Sequence, residues 1–219
     1  MSLTEAENVF AGVHEAGLND LLTAVFTTRP RLLNYRTSPA VANVPSAASS
    51  WTAVPPIAFP GTAGIHYAVR FGIPVVDIHP DTTGMPHPLV LGVGQVSVRT
   101  TVELILLCQR GRKDDPDQRP IGTPIATRLE AVALGRMVPV AVTPGTGSVV
   151  IDVQQVELVD ITPDDLESVL ECLVLTLLRA VFGSVSLPFS ALRVGAFSLT
   201  LLRGPEAEDD QLKLYGAAV

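Results

Sequence analysis

The sequence predicts an α+β protein in which long antiparallel strands lie between two helices. Over the first thirty residues, apolar side chains recur at three- and four-residue spacing, the period of a helix with one buried face. Between about 88 and 161, apolar and polar residues alternate over long stretches, the period of half-buried strands. From about 162 onward, apolar residues surround most of a second helix. A chain of 219 residues can hold these segments in a single domain, 1–219.

Composition limits the class of protein. Hydrophobic residues make up 47% of the chain and charged residues 17%, with a mean hydropathy of +0.37. That charge content is well below the usual quarter. The uncharged run 172–178 is far shorter than the roughly 20 residues that a membrane-spanning helix needs. The apolar side chains are therefore expected in a core, a cavity or an interface.

Charge and cysteine content exclude several partners. The net charge is −7, the pI is about 5.0, and the only lysines are Lys113 and Lys213. No basic surface for nucleic acid or polybasic patch for anionic lipid is predicted. The first residues lack a signal-peptide pattern, so a cytoplasmic location is expected. In that reducing compartment, Cys108 and Cys172 are expected to be free, buried thiols.

The first predicted element is a long N-terminal helix. Ser2 or Thr4 can cap it, and Pro30 ends it. Its apolar stripe consists of Val9, Phe10, Val13, Leu18, Leu21, Leu22, Val25 and Phe26.

Short and irregular segments follow this helix. Residues 31–37 predict a short strand, and 64–80 predict a longer one. Between them, 38–60 is rich in Pro, Ala and Ser and contains the only tryptophan, Trp51. This stretch is expected to be an irregular loop or a covering flap.

Three long strands are predicted at 88–109, 124–143 and 148–161. Gly135 and Pro139 indicate a bulge or an edge in the second. In the third, the apolar phase slips near Gln154–Gln155, which predicts a β-bulge. The charged stretch 111–122 and the sequence PGTG at 144–147 connect them as loop and turn. One face of the first strand carries Val96, Val98, Val102, Leu104 and Leu106.

The second helix has clear boundaries. Thr162 can cap its N-terminus, Pro163 suits its first position, and Gly183 ends it. Leu187-Pro188 then leads into a strand. Two final strands, 192–202 and 210–217, are expected to form a hairpin around the acidic loop RGPEAEDD.

This order of elements, with the Leu187-Pro188 step and the closing GAFSLTLL…DDQLKLYGA hairpin, resembles the tubular lipid-binding (TULIP) superfamily. The likeness is to a single bactericidal/permeability-increasing-protein-like domain. It implies a long, highly curved antiparallel sheet wrapped around the N-terminal helix and the second apolar helix. In that family the sheet encloses an apolar groove for acyl chains. Secreted members often join a strand to the second helix by a disulfide. Cys108 and Cys172 lie on such elements at a spacing that does not match, so their pairing stays open.

A helix that is apolar on most sides must be covered on most sides. Where helix and sheet do not mate fully, the gap stays dry and suits aliphatic ligands. Complete collapse into a solid core is the alternative, and the sequence leaves both open. The residues expected to line the groove are Leu173, Leu177, Val181, Phe182, Val102, Leu104 and Leu106.

One polar cluster has side chains that could bind a metal. Asp77, His79 and Asp81 alternate along the chain, with His66 and His87 nearby. Their spacing matches no standard site, and the surrounding Pro and Gly residues indicate a solvent-facing turn. The acidic stretches near 114–117 and 206–210 do not follow the calcium-loop pattern. No Gly-x-Ser-x-Gly motif or complete phosphate loop is present in the sequence. We therefore expect no metal, no cofactor and no catalytic residue.

These observations predict a non-enzymatic protein that binds, or transfers, a lipid or another hydrophobic small molecule. Transient contact with a membrane is compatible with that function, whereas nucleic acid and a transmembrane segment are not expected. The alternative is a structural or protein-interaction module that assembles into homo-oligomers. A metal-dependent enzyme built on the Asp77 cluster ranks third.

Overall fold

A computed structural model describes residues 7–38, 50–58, 64–78, 84–108, 125–143, 146–159, 161, 164–192, 199–208 and 210–218. The chain is mostly sheet, with two α-helices among these residues and a strongly curled antiparallel sheet. This confirms the coarse α+β class. That the sheet wraps around both helices, as in the TULIP superfamily, remains a prediction. No helix in the described ranges is long and apolar enough to cross a membrane.

The helices are α1 (Glu15–Thr28) and α2 (Asp164–Gly183). The strands in chain order are β1 (Val9–His14), β2 (Asn34–Arg36), β3 (Thr52–Ala53), β4 (Ile65–Phe71), β5 (Val75–Asp77), β6 (Gln95–Cys108), β7 (Ile125–Thr143), β8 (Thr146–Leu158), β9 (Leu187–Pro188), β10 (Leu199–Glu208) and β11 (Gln211–Ala218). A three-stranded sheet has the order β1-β11-β10. The larger sheet has the order β3-β2-β4-β6-β7-β8-β9, with β5 paired to β6.

The chain divides into two compact units. The first, called the α2 unit, comprises residues 1–22, 75–99 and 131–219. The second, called the Trp51 unit, comprises residues 23–74 and 100–130. Strands β6 and β7 each contribute residues to both units. The prediction that the whole chain behaves as one domain stays a prediction.

Residues 9–14 of the predicted N-terminal helix form a strand, which corrects that part of the prediction. Val9–His14 forms β1 and pairs residue by residue with β11. The ring of Phe10 packs 5.5 Å from that of Tyr215. Valine and phenylalanine favour strands, and Gly12 weakens a helix, so long-range pairing overrides the helical spacing here. The helix α1 starts only at Glu15, and it buries Leu18, Leu22 and Phe26.

The long strands are confirmed. Strand β6 has 14 residues and β7 has 19, although the predicted stretch 88–94 is a turn region rather than strand. The bulge predicted near Gln154 is present. Leu134 pairs with Gln155 and Gly135 with Val153, so Gln154 is the extra residue. A Cβ at Gly135 would lie 2.8 Å from the Asp152 carbonyl oxygen, so glycine permits this close approach.

The end of the chain is confirmed in outline and corrected in detail. Helix α2 ends at Gly183 as predicted, but the strand entered at Leu187-Pro188 has only two residues before a 3-10 turn. The predicted acidic hairpin loop is also wrong, because most of RGPEAEDD lies in β10. Gly204, with φ of 97°, lies where the register between β10 and β11 shifts. Lys213 of β11 forms an ion pair of 3.1 Å with Glu208 of β10.

Helix α2 is less enclosed than its sequence predicts. It packs against β8 in the α2 unit through a largely apolar face. The buried residues of that face are Leu170, Val174, Leu177, Leu178, Val181 and Phe182. A second face is exposed and includes Val169, Cys172 and Thr176. The Cys172 thiol is therefore free and exposed, which corrects the prediction of a buried thiol.

Candidate functional site

The Trp51 unit contains an apolar groove of about 320 Å³ at the end of β4. Trp51 forms one wall and also packs on Ala68 and Leu107. Hydrogen bonds fix the segment around it, since the Asn34 side chain donates to the Ser50 carbonyl at 3.1 Å and the Thr52 hydroxyl donates to the Arg31 carbonyl at 2.8 Å. The lining residues are Phe26, Pro30, Leu33, Asn34, Ser50, Trp51, Arg70, Phe71, Gly72 and Ile73.

Two arginines lie against Trp51. The guanidinium carbon of Arg36 is 5.2 Å from the ring centroid, and that of Arg70 is 5.5 Å away. Both distances are within the range of a cation–π interaction. The strand register explains the placement, because Arg36 pairs with Ala68 and Arg70 lies two residues further along β4, on the same face. The indole is thereby held in position by neighbouring strands.

A second, more polar groove of about 470 Å³ adjoins the first. Arg70, Phe71 and Gly72 line both. Arg70 also forms an ion pair of 3.3 Å with Glu103, its partner across β4 and β6. A Cβ at position 72 would lie 2.6 Å from the Thr101 hydroxyl oxygen, so glycine is needed for the chain to pass so close. The remaining lining residues are Thr101, Glu103, Ala126, Thr127 and Arg128.

The α2 unit contains a different groove, of about 500 Å³. Its walls come from β8, from α2 and from the Pro88-Leu89 segment. Three carboxylates, Glu157, Glu167 and Glu171, each place an oxygen within 4.8 Å of the other two. The pKa of Glu157 is raised from 4.5 to about 7 by burial, by a hydrogen bond with Glu171 and by repulsion from Glu171 and Glu167. The groove is lined by Pro88, Leu89, Gln154, Gln155, Val156, Glu157, Ser168, Glu171, Cys172 and Leu175.

Two charged side chains of α2, Arg179 and Glu171, hold the helix against β8. The Arg179 Nε donates a hydrogen bond of 2.8 Å to the Val153 carbonyl oxygen. The Leu158 backbone N–H donates one of 3.2 Å to Glu171 Oε1. Side chains of α2 thus bond to backbone groups of β8 and help to hold the helix against the strand.

Three carboxylates could in principle ligate a hard divalent cation. Here, however, Glu157 and Glu171 are hydrogen-bonded to each other, which requires a proton between them. A bound cation would have to displace that proton and the Leu158 hydrogen bond. Within the described ranges this is the single cluster with metal-ligating geometry, and its contacts favour a structural role.

The predicted lining residues lie in both units. On α2, Leu177, Val181 and Phe182 are almost fully buried, and Leu173 is half-buried. On β6, Val102 and Leu104 are fully buried, whereas Leu106 is half-buried on the same face. The three grooves described above are lined by other side chains. That these seven residues contact a ligand therefore stays a prediction.

The candidate metal cluster around Asp77 lies only partly within the described residues. His79 and Asp81 lie outside the described residues, Asp77 is half-buried in β5, and His66 Nδ1 is 3.1 Å from the Thr37 hydroxyl. The side chain of Cys108 also lies outside the described residues, so its state is not assigned. The expectation of no metal at this cluster stays a prediction.

Sequence reasoning missed the groove beside Trp51. It placed Trp51 in a loop or flap, without the side chains that surround it. The available signal was a lone tryptophan in a Pro-, Ala- and Ser-rich stretch, followed by a strand that carries Arg70 among apolar residues. Phe26, Leu33 and Phe71 reach the groove from separate elements, so no local motif joins them.

No protein-family model, curated protein or solved structure matches this chain. The function must therefore be inferred from the grooves themselves.

Proposed function

We propose that the chain is a non-enzymatic binding protein for a lipid or similar hydrophobic small molecule, and that its apolar part lies in the groove beside Trp51. The observation that carries this proposal is the wall of that groove. Aromatic and aliphatic side chains surround about 320 Å³ of open space. Its chief apolar members are Phe26, Leu33, Trp51, Phe71 and Ile73.

The chemistry of this wall is typical of a small-molecule site. Ligand sites are mostly apolar concavities of about 300–1,000 Å³ with a few polar groups that orient the ligand. Asn34, Ser50 and Arg70 are the polar members of this wall. Covering the apolar surface with an alkyl chain would gain about 25 cal/mol per Å² removed from water. Ile73 is 41% exposed, so a ligand would cover apolar surface that now faces water.

This proposal keeps the function predicted from the sequence and adds a location. The prediction that residues of α2 and β6 contact the ligand stays untested beside it. Five of these residues, Leu177, Val181, Phe182, Val102 and Leu104, are almost fully buried, which suits either a solid core or the wall of an enclosed cavity. A substitution must decide between the two.

Binding is tested with dodecanol, an uncharged ligand with a long apolar tail, and with Trp51 as the single tryptophan reporter. We expect saturable binding that changes the Trp51 emission. Ile73→Asp should weaken it about tenfold or more, because a charge would enter the apolar wall. Val75→Asp is the matched control, since Val75 is also exposed, at 55%, and does not line the groove. Native mass spectrometry with lipid extraction would identify any ligand that co-purifies.

Two results would contradict this proposal. One is the absence of saturable binding to the intact wild-type chain. The other is equal loss of binding in Ile73→Asp and Val75→Asp, which would show that the charge acts without regard to the groove.

Assembly into homo-oligomers is the second candidate function. Val90 and Val93 are 78% and 98% exposed, and such apolar side chains favour contact with another chain. Light scattering of the wild type against a Val90→Asp, Val93→Asp double variant tests this. A wild-type oligomer that dissociates in the variant supports assembly, and a monomeric wild type across the accessible concentration range rejects it.

A further inference from the structure

The polar groove next to the Trp51 site has the chemistry of a head-group site. We propose that it binds the anionic head of an amphipathic ligand, a carboxylate or a phosphate, through Arg70 and Arg128. This inference rests on the proposed function, because it assigns the head group of the same ligand.

The first argument is continuity. Arg70, Phe71 and Gly72 line both the apolar and the polar groove. A molecule whose tail lies against Trp51 and Phe71 would therefore reach the polar groove past Gly72. Gly72 itself packs closely on the strand beside it, since a Cβ there would lie 2.6 Å from the Thr101 hydroxyl oxygen.

The second argument is charge. Among the described residues, the polar groove is lined by two guanidinium groups, Arg70 and Arg128, and by one carboxylate, Glu103. The whole chain carries a net charge of −7, whereas the described lining of this groove has an excess of positive charge. Arg128 is exposed, and no described carboxylate forms an ion pair with it. An incoming anion would supply the missing partner.

The third argument concerns the partner that Arg70 already has. The Arg70–Glu103 ion pair is 3.3 Å long, and the two side chains remain 40% and 43% exposed. Ion pairs exposed to this degree are weak and exchange readily with solvent ions. Arg70 can therefore share its donors with a ligand, because a guanidinium has five N–H groups in a planar fork that matches carboxylate and phosphate oxygens. The hydroxyls of Thr101 and Thr127 add two more donors at the same wall.

The test compares ligands that share one tail. Dodecanoate, dodecyl phosphate and dodecanol are titrated against the full chain below their micelle concentrations, with Trp51 emission and calorimetry as readouts. Both anions should bind about tenfold more tightly than dodecanol, because charge-assisted hydrogen bonds add to the same apolar contact. Arg128→Ala should reduce this preference to about twofold or less while the dodecanol affinity stays unchanged. Arg70→Gln is the second variant and should also reduce it.

Arg136→Ala is the matched control. Arg136 is an exposed arginine on the same strand, β7, and it does not line the groove. Its removal should leave the preference for anions intact, and a loss equal to that of Arg128→Ala would reveal a general charge effect and overturn the assignment.

The remaining outcomes separate the two proposals. Equal wild-type affinity for dodecanol and both anions would overturn the head-group site and leave the apolar site standing. Absence of binding to all three ligands would overturn the proposed function itself. Inorganic phosphate is the last ligand tested. If it binds as tightly as dodecyl phosphate, the groove takes a free anion and the amphipathic assignment is wrong.

Discussion

The polar groove of the Trp51 unit and the groove of the α2 unit have similar volumes, about 470 and 500 Å³, and opposite charges. Arg70 and Arg128 line the first, whereas Glu157 and Glu171 line the second. The carboxylates are engaged with the protein itself, because Glu171 accepts from the Leu158 backbone and is hydrogen-bonded to Glu157. The difference indicates which charged groups have a structural role and which can bind a ligand. Groups bonded to the backbone hold elements together, and groups left at an open wall are available to a ligand.

Apolar side chains in the two units also differ, because some are packed within the protein and others face an open groove. On α2, Phe182 is 1% exposed and belongs to a packed face. In the Trp51 unit, Ile73 is 41% exposed at the wall of an open groove. A buried side chain contributes to stability in the absence of ligand, whereas an exposed one gains most when a ligand covers it.

The largest expected effect is the loss of stability when a buried side chain of α2 is truncated. Phe182→Ala should lower the free energy of unfolding by about 3–5 kcal/mol, because it removes buried contacts and leaves a cavity. Urea denaturation followed by circular dichroism measures the change. Val169→Ala on the exposed face of α2 is the control and should stay within about 0.5 kcal/mol. A cost for Phe182→Ala below about 1 kcal/mol, together with altered dodecanol affinity, would instead place Phe182 in a ligand cavity.

The next effect concerns the engaged carboxylates and depends on pH. The pKa of Glu157 is raised from 4.5 to about 7 in the folded protein, mainly by burial. Below the unfolded value the proton is bound in both states, and its stabilising contribution is fully present. As pH rises toward about 7, the unfolded state has already released the proton, so folding stability falls. After allowance for solvent screening of this partly exposed group, the fall should be about 1 kcal/mol.

Glu157→Gln tests whether Glu157 causes this fall of stability with rising pH. Its amide can donate to Glu171 without titrating, so the variant should keep its stability between pH 4.5 and 8. Asp152→Asn, on the same strand, is the control and should retain the wild-type fall. Thermal unfolding across this pH range would contradict the assignment if wild type and Glu157→Gln declined in parallel.

Local pattern was enough to predict much of the fold. The long strand β6 and the bulge at Gln154 follow from alternation and its slip, and the end of α2 follows from Gly183. Strand β1 could not be predicted this way, because Val9, Phe10 and Val13 also fit a helical stripe. Their conformation is decided by pairing with β11, near the opposite end of the chain.

The candidate site was harder to predict than the fold for the same reason. Phe26, Trp51 and Phe71 come from a helix end, an irregular segment and a strand end, and no local motif joins them. The sequence alone assigns no role to Arg70. The register of β4 places it beside Trp51 and opposite Glu103. A site assembled by long-range pairing carries no local spacing that would reveal it.

The smallest effect on stability gives the sharpest test of the open groove. Glu103→Gln removes the one carboxylate among the groove's described lining residues and leaves Arg70 and Arg128 in place. Because the Arg70–Glu103 pair is exposed, its loss should change the free energy of unfolding by less than about 0.5 kcal/mol.

Affinity should respond more strongly than stability to this substitution. Dodecanoate and dodecyl phosphate should bind severalfold more tightly to Glu103→Gln than to the wild type, since the competing carboxylate and its repulsion are gone. Dodecanol should bind equally to both proteins, which separates head-group from tail effects. Calorimetric titration of the three ligands decides the matter. Unchanged or weaker anion binding in a folded Glu103→Gln variant would mean that Glu103 does not compete with the ligand for Arg70, and the two grooves would then differ in charge without differing in role.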